Sequence, residues 1–277
     1  MPLYLVATPI GNLEDISLRA LRILKEADLI ACEDTRHSGR LLSHYGIDRP
    51  TASYHEHNES DRVPEFLSIL QSGRSIAVIT DAGTPGISDP SFRIVTAAIA
   101  NGIEVIPIPG PAALIAGVIA SGLPTNAFFF GGFLPPKQKA RKERLEELRG
   151  LNSTLIFYEA PHRLRETLLD LEDVLGDRKA AAARELTKLH EQFVRGTISE
   201  LKRYFDSTEP RGEFVLIVDG RTDVEVLDSS APASVQLASL IEQTGLERSE
   251  AIKRLAEMKG LTRKELYRKL LEEKDGD

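Results

Sequence analysis

The stretch SIAVITDAGTPGISDP, residues 75–90, joins a short run that is apolar at nearly every position to a loop with two glycines and two prolines in eight positions. A strand without polar alternation is buried on both faces, the mark of a parallel sheet covered by helices. The loop exposes main-chain amides beside little side-chain bulk, which suits a small polar ligand held against backbone. As a plain connector, it would also work, with Asp89 capping a helix that opens at Pro90.

Working outward, the same rhythm repeats. Residues 3–7, 29–32 and 104–108 read as strands, and 17–27, 64–70 and 92–100 as helices. This βαβα order predicts an α/β domain over residues 1–122, an open sheet with ligands at its strand ends. Residues 123–222 predict a second α/β domain with a mixed sheet: strands at 128–133, 154–158, 180–184 and 214–218, helices at 140–148, 163–175 and 199–205. Residues 221–233 read as a linker. Residues 232–277 read as a helical appendage of helix-turn-helix type, three short helices broken at Gly245 and Gly260, with Ser249 and Thr262 opening the later two.

Composition narrows the classes. The 277 residues carry 35 Lys and Arg against 42 Asp and Glu, a formal net charge of −7. So acidic a chain is not built to coat nucleic acid, and DNA is not an expected partner. The single cysteine, Cys32, excludes an internal disulfide and a Cys-cluster zinc site, and fits a reducing compartment. No basic leader opens the sequence, and no stretch reaches the roughly 18 apolar residues of a bilayer span, so a cytoplasmic protein without membrane contact is expected.

The chemistry lies in loops after strand ends. TPIGNLED, residues 8–15, has one glycine and fails the dinucleotide and phosphate-loop fingerprints. CEDTRH at 32–37 and YHEHNE at 54–59 gather Glu33, Asp34, Arg36, His37, His55 and His57. The spacing of His55 and His57 puts both imidazoles on one side if the segment is extended, but no third ligand completes a recognised site and no metal is expected. IPIPGPAA at 106–113 offers a flat, small-residue wall for a planar ligand. FYEAPHR at 157–163 sets Glu159 and Arg163 four residues apart, close enough to pair with each other. PPKQKARKER at 135–144 holds five basic residues against one acid. Cations at a helix start oppose the helix dipole, so a phosphate partner explains them better than a solvated helix end does.

In order and spacing, the blocks LYLVATPIGNLEDIS, CEDTRHSGRLL, YHEHNE, ITDAGTPGISDPS, PGPAA and FYEAPHR resemble the tetrapyrrole-methylase-type family of S-adenosylmethionine (SAM) methyltransferases. The likeness is nearest to its branch that methylates the ribose 2′-hydroxyl of a cytidine in the decoding region of small-subunit rRNA. It implies two α/β domains with SAM between them, a homodimer, and small-subunit rRNA or the 30S subunit as partner. As cofactor contacts it implies Ile10, Asp81, Gly83, Thr84, Ile87, Ala112, Ala113, Tyr158 and Leu186. Thr84 departs from the pattern, since tetrapyrrole-type members usually carry an acid there.

Transfer to a ribose oxygen is helped by a base, and Glu33, Asp34, His57 and Glu159 are the candidates. Arg36, His37, Lys137, Lys139, Arg141 and Arg163 are the expected phosphate contacts around the target nucleotide. Two other readings stand beside this one. A methyltransferase acting on a tetrapyrrole needs neither the basic run nor the helical appendage. A non-catalytic RNA-binding assembly factor has no use for a cofactor loop.

Overall fold

The computed structural model describes residues 1–221, 231–244 and 247–274. Residues Met1–Asp219 form one compact unit and Gly220–Asp277 another.

The first unit holds two five-stranded sheets. In the first, β1 (Leu3–Val6), β2 (Leu29–Cys32), β3 (Thr51–Ser53), β4 (Ile76–Ile79) and β5 (Val105–Ile108) lie in the order β3-β2-β4-β1-β5, every pairing parallel. The apolar strands bury both faces as expected. Val6, Ile30, Ala77 and Ile79 pack beneath α1 (Leu18–Glu26) and α2 (Thr35–His44). Leu3, Ala31, Ile76 and Val78 pack against Phe66 and Leu70 of α3 (Glu59–Gln71) and Ile94 and Ala98 of α4 (Ser91–Ala100) on the other face.

Two local expectations change here. The helix expected from Pro64 begins at Glu59, so Pro64 lies inside α3 instead of opening it. The polar cluster after β2 is the start of α2, with the Asp34 carboxylate accepting from the amides of Arg36 and His37 at 2.8 and 3.4 Å.

The second sheet contains β6 (Phe128–Phe133), β7 (Thr154–Glu159), β8 (Lys179–Arg184), β9 (Gln192–Thr197) and β10 (Phe214–Val218), ordered β6-β7-β10-β8-β9. Only β6 and β7 run parallel, so the sheet is mixed. Strand β9, QFVRGT, escaped the sequence reading because an edge strand with Gln, Arg and Gly lacks the apolar run. Its helices α6 (Gln138–Leu148), α7 (Leu164–Leu175) and α8 (Ile198–Ser207) cover one face through Leu145, Leu168, Leu171, Leu201 and Phe205.

The other face is covered by α5 (Ala113–Ile119), the helix that follows the first sheet's last strand. Its Leu114 and Val118 pack on Ile156, Ala181, Val215 and Ile217. A Cβ on Gly117 would stand 2.9 Å from Val215 Cγ1, so the helix rests directly on β10. The loop after β5 is thereby stretched from one sheet to the other.

The second unit has α9 (Ala233–Thr244), α10 (Arg248–Met258) and α11 (Arg263–Lys274) around Leu237, Leu240, Ala251, Leu255 and Leu266. Thr262 caps α11 as expected, exchanging hydrogen bonds with Glu265. Ser249 does not open α10, which already begins at Arg248. Most of the expected linker, residues 222–230, and the break at Gly245 lie outside the described residues. Among the described residues, no helix is long and apolar enough to cross a membrane.

Candidate functional site

The carboxyl ends of β1 and β4 lie side by side, because these strands are neighbours in the first sheet. Their loops are stitched together: Thr8 N–H donates to Gly83 O at 2.8 Å and Gly83 N–H returns to Thr8 O at 3.1 Å. The buried Thr8 hydroxyl also donates to Thr80 O at 3.1 Å. Gly83 has φ +89°, so the backbone calls for glycine, while a Cβ there would be in ordinary contact with Ile10 Cγ2 at 3.4 Å. Thr84 donates its hydroxyl to Pro111 O at 2.9 Å, tying this loop to the PGPAA wall.

These loops and the mixed sheet enclose a cavity of about 320 Å³, within the size range of small-molecule sites. One wall is Ile10, Gly83, Thr84 and Ile87; a second is Ala112 and Ala113 at the start of α5; the third is Tyr158 and Leu186 from the mixed sheet. Eight of the nine residues expected around a cofactor thus line one cavity. Asp81 does not line it. Its carboxylate instead accepts from the Asp34 amide at 3.2 Å.

Several lining residues were not anticipated: Phe133, Glu185, Lys188, Glu213, Phe214 and Val215. Glu185 and Thr187 adopt φ of +50° and +66°, strain of a kind that collects at binding sites. A Cβ on Gly11 would meet Lys188 Cγ at 2.5 Å, so the loop after β8 lies against the loop after β1. No motif marks ARELTKLH in the sequence. For Phe133, two glycines inside a strand were a usable sign of a bulge.

The candidate bases separate sharply. Glu159 is fully buried, with one carboxylate oxygen accepting from Thr167 at 2.5 Å and the other from Ala160 N–H at 2.9 Å. It faces its own helix and not the cavity, and is no base for a substrate. Asp34 is committed to capping α2, whose amides hold its carboxyl below the usual carboxylate range. His57 is exposed, its ring 6.0 Å from that of His55. Glu33 is half-buried, accepts from Thr80 at 3.2 Å, and is pushed above the ordinary glutamate value by burial and then by the Asp81 charge. Among the described residues, no group of three or more His, Cys, Asp or Glu is arranged to hold a metal ion.

The expected phosphate contacts divide too. Arg36 is 94% exposed and His37 is exposed beside it on α2. Lys137 and Lys139 are exposed at the start of α6. Arg141 is a correction: its side chain is 1% exposed, with Nε 2.7 Å from Asp170 and Nη1 donating to Pro136 O at 3.2 Å. Arg163 is a second correction. Its guanidinium donates to Leu134 O at 2.6 Å and Pro135 O at 3.2 Å and stands 3.3 Å from Glu159. Both arginines satisfy carbonyls that follow β6; Arg141 is closed off from any phosphate by its burial, and Arg163 keeps 17% of its side chain exposed.

Comparison with known proteins places these features. Residues 2–202 match the family model described as Tetrapyrrole (Corrin/Porphyrin) Methylases. Proteins named ribosomal RNA small subunit methyltransferase I are close in sequence. The one from Synechocystis is 51% identical over 92% of this chain and 91% of its own length. The Bacillus subtilis one is 49% identical over 81% of this chain and 77% of its own length. Among solved structures, diphthine synthase superposes with a TM-score of 0.61 at 15% identity, covering 80% of this chain and 91% of that one. A cobalt precorrin-4 methyltransferase gives 0.58 at 16%, covering 78% and 94%. These last two likenesses speak for the fold alone.

Proposed function

Because the chain belongs to the tetrapyrrole (corrin/porphyrin) methylase family and to its branch of small-subunit ribosomal RNA methyltransferases, we propose that it transfers the methyl group of SAM to the ribose 2′-hydroxyl of a cytidine in the decoding region of small-subunit (16S) rRNA. The observation that carries this reading is the convergence of its separate motif loops on one cavity.

The cavity suits SAM. Gly83, Ala112 and Ala113 leave flat, unobstructed surface for a planar ring, and Leu186 and Val215 give an apolar floor. Glu213 at the same cavity offers a carboxylate that complements the positive charge of a sulfonium or an ammonium group, whereas the Glu185 carboxylate is already paired with Lys188 at 2.9 Å. When bound, SAM supplies an electrophilic methyl carbon, so the chain's task is alignment and proton removal.

Glu33 is the base this geometry favours. It does not line the cavity itself, but unlike the fully buried Glu159 it is half-exposed at the end of β2, and Thr80, which donates to it, begins the loop whose Ala82, Gly83 and Thr84 do line it. Its raised pKa brings it nearer the working pH, where a general base is most effective. His57 is the second candidate, exposed on the loop after β3. Arg36, His37, Lys137 and Lys139 hold phosphates around the target nucleotide, a role supported by their exposure.

Residues 1–122 and 123–222 act as the two halves of the enzyme, each contributing walls of the cavity. The protein works in the cytoplasm as a homodimer. Phe92 and Ile99, seven residues apart on α4, are exposed apolar side chains that a second copy would cover.

The test is to incubate 30S subunits from cells lacking the gene with labelled SAM and map the product. Label at a cytidine 2′-oxygen of 16S rRNA supports the reading. Transfer to a porphyrinoid with none to subunits would overturn it, as would calorimetry showing no SAM binding.

A further inference from the structure

Two glycines interrupt β6 immediately before Phe133, and both are there for a reason. A Cβ on Gly131 would stand 2.6 Å from the ring of the buried Phe157, and Gly132 has φ +63°. The pairing of β6 with β7 shifts register between Phe130 and Phe133, so the strand bulges and the next side chain is re-aimed. Phe133 then lines the cavity mouth yet remains 48% exposed. Its ring sits 5.6 Å from that of Tyr158, which lines the cavity and holds the Leu114 amide through its hydroxyl. Across the mouth stands the Gly/Pro loop: Gly132 approaches Ser88 Oγ to 3.7 Å at the Cβ position, and Ser88 has φ +64°.

The segment after Phe133 is held unusually firmly. Arg163 takes the carbonyls of Leu134 and Pro135, and Arg141, itself clamped by Asp170, takes that of Pro136. Two buried or half-buried guanidiniums spent on three consecutive carbonyls make a rigid mount. A rigidly mounted, half-exposed aromatic ring beside a small-residue cavity suits stacking on a flat group that arrives from solvent.

We propose that Phe133 is a stacking platform for the nucleobase of the target nucleotide, holding it at the mouth while its ribose faces the cofactor cavity. This rests on the reading of the chain as an RNA ribose methyltransferase. The inner walls of Gly83, Ala112, Ala113 and Leu186 serve the cofactor; the outer ring serves the substrate. Stacking tolerates any base, so Phe133 positions the nucleotide without selecting it.

The chain contains no tryptophan, so Phe133→Trp introduces a single indole at the site, which can be excited apart from the six tyrosines. Its emission is expected to be quenched by oligocytidylate added to the protein with S-adenosylhomocysteine present, and to be little changed by SAM alone. In steady-state assays on 30S subunits, Phe133→Ala is expected to raise KM for subunits on the order of tenfold or more, with the SAM dissociation constant within about twofold of wild type. Phe133→Trp, which keeps a stacking surface, is expected to hold KM well below that of Phe133→Ala. Quenching by SAM without quenching by oligocytidylate would overturn the proposal and give Phe133 to the cofactor. An unchanged KM in Phe133→Ala would also overturn it. Failure of the underlying function looks different: wild type itself transfers no methyl group to subunits.

Discussion

Arg141 offers a quantitative test of the claim that the basic run of α6 is divided between core and surface. Its side chain is 1% exposed, Asp170 is 2% exposed, and they meet at 2.7 Å. Removing one member of such a pair leaves an uncompensated buried charge, at a cost of about 3–5 kcal/mol. Arg141→Met leaves Asp170 with Gln138 at 3.1 Å and Lys142 at 3.6 Å, so the low end, about 3 kcal/mol, applies. Asp170→Asn strands the guanidinium, whose other contacts are Pro136 O and a mostly exposed Glu166 at 3.5 Å, so the high end, about 5 kcal/mol, applies. For a unit of this size, each kcal/mol moves the melting temperature by about 2–4 °C, giving losses of about 6–12 °C and 10–20 °C. Calorimetric melting of both variants is the assay. The double variant Arg141→Met/Asp170→Leu removes both charges and is expected to regain most of the loss, since an apolar pair of similar volume is often neutral or better. If Arg141→Met melted like wild type while losing affinity for subunits, the burial argument would be refuted and the arginine returned to the RNA.

Other outcomes follow from the same geometry. Glu33→Gln is expected to cut kcat on subunits about 10²-fold or more with SAM affinity retained, and wild-type kcat is expected to rise with pH through the Glu33 ionisation, above the ordinary glutamate range. The stability sign is opposite: a carboxyl raised in the fold loses stability as pH climbs from its unfolded value through its folded one, so Glu33→Gln should melt no lower than wild type at neutral pH. Charge reversal at Arg36, Lys137 and Lys139, all exposed, should weaken subunit binding and flatten its salt dependence without altering SAM binding or melting; unchanged affinity defeats their phosphate role. Gly83→Ala forces a Cβ onto φ +89° against Ile10 at a cost of about 1–3 kcal/mol, and should weaken SAM binding measured by calorimetry; wild-type affinity would show that the loop does not touch the cofactor.

Strands and cofactor loops were legible because their signals are local. A run such as Ile76–Ile79 is apolar whatever it pairs with, and a loop such as residues 81–90 announces its backbone through Gly and Pro. The motif likeness carried this further, naming eight residues that line one cavity. What the chain order hid was direction and company. Arg141 and Arg163 lie in polar-looking segments and Glu159 ends an apolar strand, and nothing in their neighbours along the chain says that Asp170, the Leu134 carbonyl and Thr167 will meet them. Phe133 and Glu185 came to the cavity through a bulge and a strained turn, which re-aim side chains without any periodic signature. Sequence by itself determined the α/β class, most of the strands and the loops that converge, because backbone propensity and apolar patterning act over a few residues; α2, α5 and the edge strand β9 needed the tertiary structure. Only the tertiary structure decided which charges are buried and which face solvent, because burial is set by packing between segments far apart in the chain.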